Sequence, residues 1–103
     1  MERFFGSGLY ILDEPEAALS PTRQLALLVR INDLVRKGSQ FIMASHSPLL
    51  LAYPGATIFS LDDGGVAEIA YEDTDHYQVA RRVLMDHHRA LTQLLRPEGI
   101  ADE

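Results

Sequence analysis

The stretch Leu9-Tyr10-Ile11-Leu12-Asp13-Glu14-Pro15-Glu16 decides how the rest of the chain is read. Its four uninterrupted apolar residues, entered through Gly6-Ser7-Gly8, predict a strand buried on both faces, as in a parallel sheet. The strand runs directly into two adjacent carboxylates and a proline. In an open parallel sheet, ligands bind in the crevice beyond the carboxyl ends of the strands. Two carboxylates placed there can divide labour. One holds a hydrated divalent cation, and the other positions or deprotonates an attacking water.

Downstream, Ser20-Pro21 reads as a helix start, with Ser20 as N-cap and Pro21 at the first helical position. Leu25, Leu28, Ile31 or Asn32, and Val35 recur at three- and four-residue intervals and form the expected core-facing stripe. Lys37 and Gly38 supply the stop, so the helix is expected over about Pro21–Lys37. A second apolar run, Phe41-Ile42-Met43-Ala44-Ser45, ends at His46-Ser47-Pro48. Strand, helix and strand make a βαβ unit. With neighbouring strands ~4.8 Å apart, Asp13, Glu14, Ser45 and His46 would share one sheet edge. A magnesium ligand, a base and a hydrogen-bonding histidine around one pocket suit phosphoryl transfer to water.

The remainder continues the α/β pattern. Leu49-Leu50-Leu51 predicts a brief helical turn, and Thr57–Leu61 and Val66–Ala70 flank Asp62-Asp63-Gly64-Gly65 as a hairpin. A single long amphipathic helix is expected over about Asp75–Leu95, with Tyr77, Ala80, Leu84, Leu91 and Leu95 on one face and Thr74 or Asp73 as its cap. His87 and His88 point about 100° apart on that helix, so they, with His76, Arg81, Arg82 and Arg89, read as a solvated face. Residues Glu98–Glu103 are expected to fray.

At 103 residues, 47% hydrophobic and 23% charged, the chain has the length of one globular domain, without an internal repeat. A net charge of −6 without a basic stripe makes it a poor binder of nucleic-acid backbone. It has no cysteine, which excludes disulfides and thiolate chemistry and fits a reducing cytoplasm. No apolar run reaches the ~20 residues of a membrane span, and Met1–Gly6 lacks the layout of a signal peptide.

Taken in order, three segments carry a resemblance. Leu9–Glu16 resembles the Walker B strand of ATP-binding-cassette-type ATPases. Ala17-Ala18-Leu19-Ser20-Pro21 resembles their D-loop, and Ala44-Ser45-His46-Ser47-Pro48 their switch-histidine segment. The similarity is greatest to the soluble AAA- and ABC-like P-loop ATPases, whose domains also resemble the heads of chromosome-maintenance and DNA-repair ATPases. It spans roughly residues 7–62. It implies a RecA-like, ABC-type parallel sheet and a cytoplasmic enzyme binding ATP and Mg²⁺ in a nucleotide sandwich between two subunits. In that family's terms Asp13 is the magnesium carboxylate, Glu14 the general base or water-orienting group, and His46 the switch histidine that reaches the γ-phosphate, beside Ser45. Leu19 and Ser20 match the D-loop that touches the opposite subunit, where transporter members commonly carry Asp at the Ser20 position.

No G-x-x-x-x-G-K-[ST] loop occurs, and the only lysine is Lys37. The Q-loop and signature motif that the family places before Walker B are missing as well. Family topology implies that the P-loop strand inserts between the switch-histidine strand and the Thr57–Leu61 strand. The expectation is therefore that residues 1–103 are the C-terminal portion of an ATPase domain, inactive without its N-terminal half. Two other readings stand beside it. One is a non-catalytic fragment that self-associates or complements a partner. The other is a metal-dependent phosphoesterase using Asp13, Glu14, Glu16 and His46.

Overall fold

A computed structural model of the chain describes residues 8–96 and the backbone of residues 2–3. The chain divides into two units, residues 1–58 and residues 59–103. The expected fraying at Glu98–Glu103 lies outside the described residues.

The sheet of the first unit contains β1 (Glu2–Arg3), β2 (Leu9–Asp13) and β3 (Gln40–Ala44) in that spatial order. β2 and β3 run parallel, with Leu9 opposite Gln40 and Asp13 opposite Ala44. β1 adds antiparallel to β2, Glu2 opposite Ile11, and at two residues is too short to show a pattern in the sequence. Among the described residues no strand is hydrogen-bonded to the outer side of β3.

Between β2 and β3 runs α1 (Pro21–Arg36), bounded as its sequence predicts. The Ser20 hydroxyl accepts a hydrogen bond from the Arg23 N–H at 3.2 Å, satisfying one of the free amides of the first turn. At the other end Gly38 N donates to Val35 O at 3.0 Å and Ser39 N to Leu34 O at 2.9 Å, the pair of bonds of a Schellman stop. Gly38 sits at φ +99°, where a Cβ would be strained.

Two expectations about burial are corrected. β2 is buried on one face rather than two: Tyr10 and Leu12 are buried, whereas Ile11 is 40% exposed and its register partner Ile42 is 55% exposed. The single crossover helix packs on this sheet and covers one side of it. The helical stripe is also rotated. Ile31 is buried and Leu27, Leu28 and Leu34 are half-buried, while Leu25 and Val35 are exposed. Apolar residues lie on several sides of α1, so spacing alone admits both stripes, and the burial of Ile31 marks the inward one. Within the sheet, the register partners Tyr10 and Phe41 stack with ring centroids 4.7 Å apart and planes 9° from parallel. A 3-10 turn at Leu50–Ala52 delivers the buried Leu50 against α1, and Tyr53 O–H donates to Asn32 Oδ1 at 2.9 Å.

The expected hairpin pairs β4 (Ile58–Asp62) with β5 (Gly65–Ile69), all of it but Ile58 belonging to the second unit. Asp62 Oδ1 accepts from Gly64 N at 2.8 Å, and Gly65 closes the turn at φ +114°. The long helix of the sequence reading is two helices, α2 (Asp75–Met85) and α3 (His87–Leu95). Asp86 leaves helical backbone (φ −155°, ψ 74°), and its carboxylate accepts from Arg89 N at 3.3 Å. A short acidic side chain that can bond the backbone two or three residues on competes with helix continuation. The face expected from that helix is corrected too, since Leu84, Leu91 and Leu95 are exposed. Thr74, not Asp73, caps α2, accepting from Tyr77 N at 3.1 Å.

Candidate functional site

The carboxyl edge of β2 and β3 is where the candidate residues meet. The parallel register sets Asp13 against Ala44, and Glu14 N donates to Ala44 O at 2.7 Å, carrying the ladder one residue past Asp13. The chain then turns sharply. Glu14 adopts φ 46°, ψ 57°, and is the one non-glycine at positive φ among the described residues. Such backbone costs about 1–3 kcal/mol and needs surrounding structure to hold it. Pro15 starts a 3-10 turn, Pro15–Ala18, in which Ala17 N donates to Glu14 O at 3.1 Å and Leu19 N to Glu16 O at 3.0 Å. Asp13, Glu14 and His46 are exposed, and Ser45 is half-buried.

Glu16 does the joining. Its Oε1 accepts the Ser45 hydroxyl at 3.0 Å, and its Oε2 accepts the backbone N–H of His46 at 2.9 Å. Partial burial opposes ionisation of Glu16. The His46 and Glu16 backbone N–H groups, the Ser45 hydroxyl and the His46 imidazole together outweigh it and hold the carboxyl below its ordinary range. The Ser45 hydroxyl in turn accepts from Ser47 N at 3.0 Å. Buried Ser47 accepts from Leu49 N and Leu50 N at 3.1 and 3.2 Å, which starts the Leu50 turn, and donates its hydroxyl proton to Gln24 Oε1. Gln24 Nε2 donates to Leu19 O at 3.2 Å. Since Leu19 N already donates to Glu16 O, the bonds close a ring through Glu16, Ser45, Ser47, Gln24 and Leu19.

Thus the structure brings Asp13, Glu14, Ser45 and His46 to one edge and ties Leu19 to them through Gln24. Ser20 acts as the α1 cap. Three members of the ring, Glu16, Gln24 and Ser47, stand apart from the site residues singled out in the sequence. Glu16 enters the sequence reading only as a candidate phosphoesterase ligand, and both its carboxylate oxygens are engaged by the 45–46 segment. Gln24 was legible as the polar residue heading the Leu27–Leu28–Ile31–Leu34 stripe, once that stripe is placed correctly.

Among the described residues no three metal-ligating side chains cluster. These residues alone build no all-protein cage. Mg²⁺ typically takes one or two carboxylates and completes its octahedron with water and substrate phosphates. Exposed Asp13 at the strand end fits that lesser demand.

A family model described as "AAA domain, putative AbiEii toxin, Type IV TA system" matches residues 4–52. The link is to the P-loop NTPases. The match runs from just before β2 through α1 and β3 to the Leu50 turn, the stretch that holds the whole ring. The mixed α/β arrangement, with a parallel β2–β3 pair joined through a helix, is consistent with P-loop NTPase topology. No curated protein and no solved structure matches the chain. Among the described residues no helix is long and apolar enough to cross a membrane.

Proposed function

We propose that the chain is the C-terminal part of an ATP-binding-cassette-type ATPase domain that binds and hydrolyses Mg-ATP when an N-terminal half supplies the phosphate-cradling loop. The observation that carries the reading is the β2–β3 register, which brings Asp13-Glu14 and Ser45-His46 off adjacent strands in step. Asp13 would hold the magnesium, largely through water. The metal's contribution is to neutralise charge developing on the phosphates. Glu14 orients the attacking water or takes its proton, a role worth roughly 10²–10⁴ in rate. Its strained backbone is held by Pro15 on one side and the bond to Ala44 on the other. His46 and Ser45 serve the γ-phosphate side, and Leu19 and Ser20 face a second subunit across the nucleotide, in a cytoplasmic dimer.

The outer side of β3 favours the partnership. No strand of the described residues pairs there, and Ile11 and Ile42 expose apolar surface on the same sheet. Such an edge recruits another strand, so a fragment that only self-associates is the second reading. Calorimetry with Mg-ATP tests the first. The chain alone is expected to bind no nucleotide. Mixed with a polypeptide that supplies the G-x-x-x-x-G-K-[ST] loop of such a domain, it is expected to bind one ATP per pair. Tight stoichiometric binding by the chain alone would overturn the proposal, and a mixture that never binds would favour the self-associating fragment.

A further inference from the structure

We infer that Glu16 is a positioning residue for His46, and that Gln24 completes a brace through which the Leu19–Ser20 segment and the histidine move as one body. The inference rests on the proposed role of His46 as the group facing the γ-phosphate.

Strand pairing holds β3 only as far as Ala44. Beyond it, residues 45–47 are each fixed by the ring. Ser45 is held through its hydroxyl on Glu16, His46 through its backbone N–H on Glu16, and Ser47 through its hydroxyl on Gln24. The chemistry of each side chain matches its place. An ionised carboxylate is acceptor-only with two oxygens, so Glu16 can take a hydroxyl and an amide at once, in bonds about twice as strong as neutral ones. Gln24 must both accept from Ser47 and donate to the Leu19 carbonyl, which a carboxylate cannot do. Glu16 places both its oxygens on the 45–46 segment. It acts through the backbone of His46.

The ring also joins two surfaces with different tasks. Leu19 belongs to it by its carbonyl and its N–H, while Ser20, the next residue, caps α1. A displacement of Leu19–Ser20 is therefore passed by Gln24 and Ser47 to the loop carrying His46, and by Glu16 to the His46 amide itself. Closely packed, fully bonded networks shift between discrete arrangements rather than deforming smoothly.

Amide hydrogen exchange and NMR on the full 103-residue chain test the brace directly. In Glu16→Gln the volume is kept and one acceptor becomes a donor. The His46 amide is expected to move upfield and to exchange about 10–100-fold faster, the scale of losing a hydrogen bond to a charged group, with Leu12 and Ile31 protection unchanged. Gln24→Ala is expected to accelerate exchange at Ser47 and to raise that of His46 by less. An unchanged His46 amide in Glu16→Gln would overturn the inference. Should that variant lose Leu12 and Ile31 protection as well, the bond is read in the wild-type chain as a scalar coupling between His46 N and Glu16 Cδ, and its absence overturns the inference equally. In the complemented ATPase, Glu16→Gln is expected to lower kcat about 10–100-fold, the scale of a small misplacement of a reacting group, with KM for ATP unchanged. An inactive wild-type mixture would count against the ATPase reading, while the amide measurements decide the brace independently.

Discussion

The two units of the chain are held by different means. Residues 1–58 bury Tyr10, Leu12, Ile31 and Leu50, and satisfy the buried Ser47 with hydrogen bonds reaching across 23 residues of sequence. Among the described residues of the second unit, Thr74 alone is buried, while Phe59, Leu61, Val66, Leu84, Met85 and Leu95 are each more than half exposed. Its contacts are local. Thr74 donates to Tyr71 O at 2.7 Å and caps α2, and the Tyr71 and Tyr77 rings meet at 4.9 Å, tilted by 59°. The difference teaches that an apolar pattern in sequence is necessary for a core but does not make one. A sheet with a crossover helix gives Leu12 and Ile31 a surface to bury against, whereas the described hairpin and helices leave Leu84 and Leu95 in solvent.

The contrast is sharpest in the response to truncation. Leu12→Ala is expected to destabilise the first unit by about 2–5 kcal/mol, by lost transfer energy and a residual cavity. Leu84→Ala, at a position 78% exposed, is expected to change stability by no more than about 0.5 kcal/mol. Urea unfolding followed residue by residue by amide exchange compares the two, and equal losses would break the comparison. Next in size is Ser47→Ala, which strands the Leu49 and Leu50 amides and Gln24 Oε1 at a buried position. The expected cost is about 1–3 kcal/mol, with fast exchange confined to residues 45–52 and the second unit untouched.

The smallest expected effect is a pair of opposite pH dependences, one for each unit. Glu16 is held below its ordinary 4.5, so its contribution is present above that pH and is lost as pH falls through the lower folded value. Acidification should loosen the 45–46 segment, and Glu16→Gln should flatten that slope. Burial, then the nearby Tyr77 and the Glu72 carboxylate, push the Tyr71 phenol above its ordinary 10.0. Its contribution is present below that value and lost as pH rises through the raised one. Both groups are largely solvated, which keeps the effects small. Exchange profiles at acid and alkaline pH read them separately.

Much of the first unit was legible because its signals are local and chemically specific. Ser20-Pro21 and Lys37-Gly38 bound α1, and the apolar runs ending in Asp13-Glu14 and Ser45-His46 give β2, β3 and their shared edge. What the sequence left open depended on tertiary placement. Whether Ile11 is covered depends on what lies over the second sheet face, and the helical stripe depends on which side of α1 meets the sheet. The break at Asp86 was locally readable in principle, since an aspartate within an apolar repeat can cap a new helix as readily as decorate an old one. The bracing role of Glu16 was not legible for another reason. It joins residues 29 and 30 positions away, and no spacing rule reports a side chain that reaches another strand's end.

The central claim is that Asp13, Glu14 and His46 form the hydrolytic edge of an ATPase completed by a second half. It is tested most directly by steady-state Mg-ATP hydrolysis by the chain mixed with a polypeptide that supplies the G-x-x-x-x-G-K-[ST] loop, wild type against Glu14→Gln. The expected result is magnesium-dependent turnover that falls roughly 10²–10⁴-fold in the variant, with ATP still bound. Turnover that survives Glu14→Gln undiminished would contradict the claim.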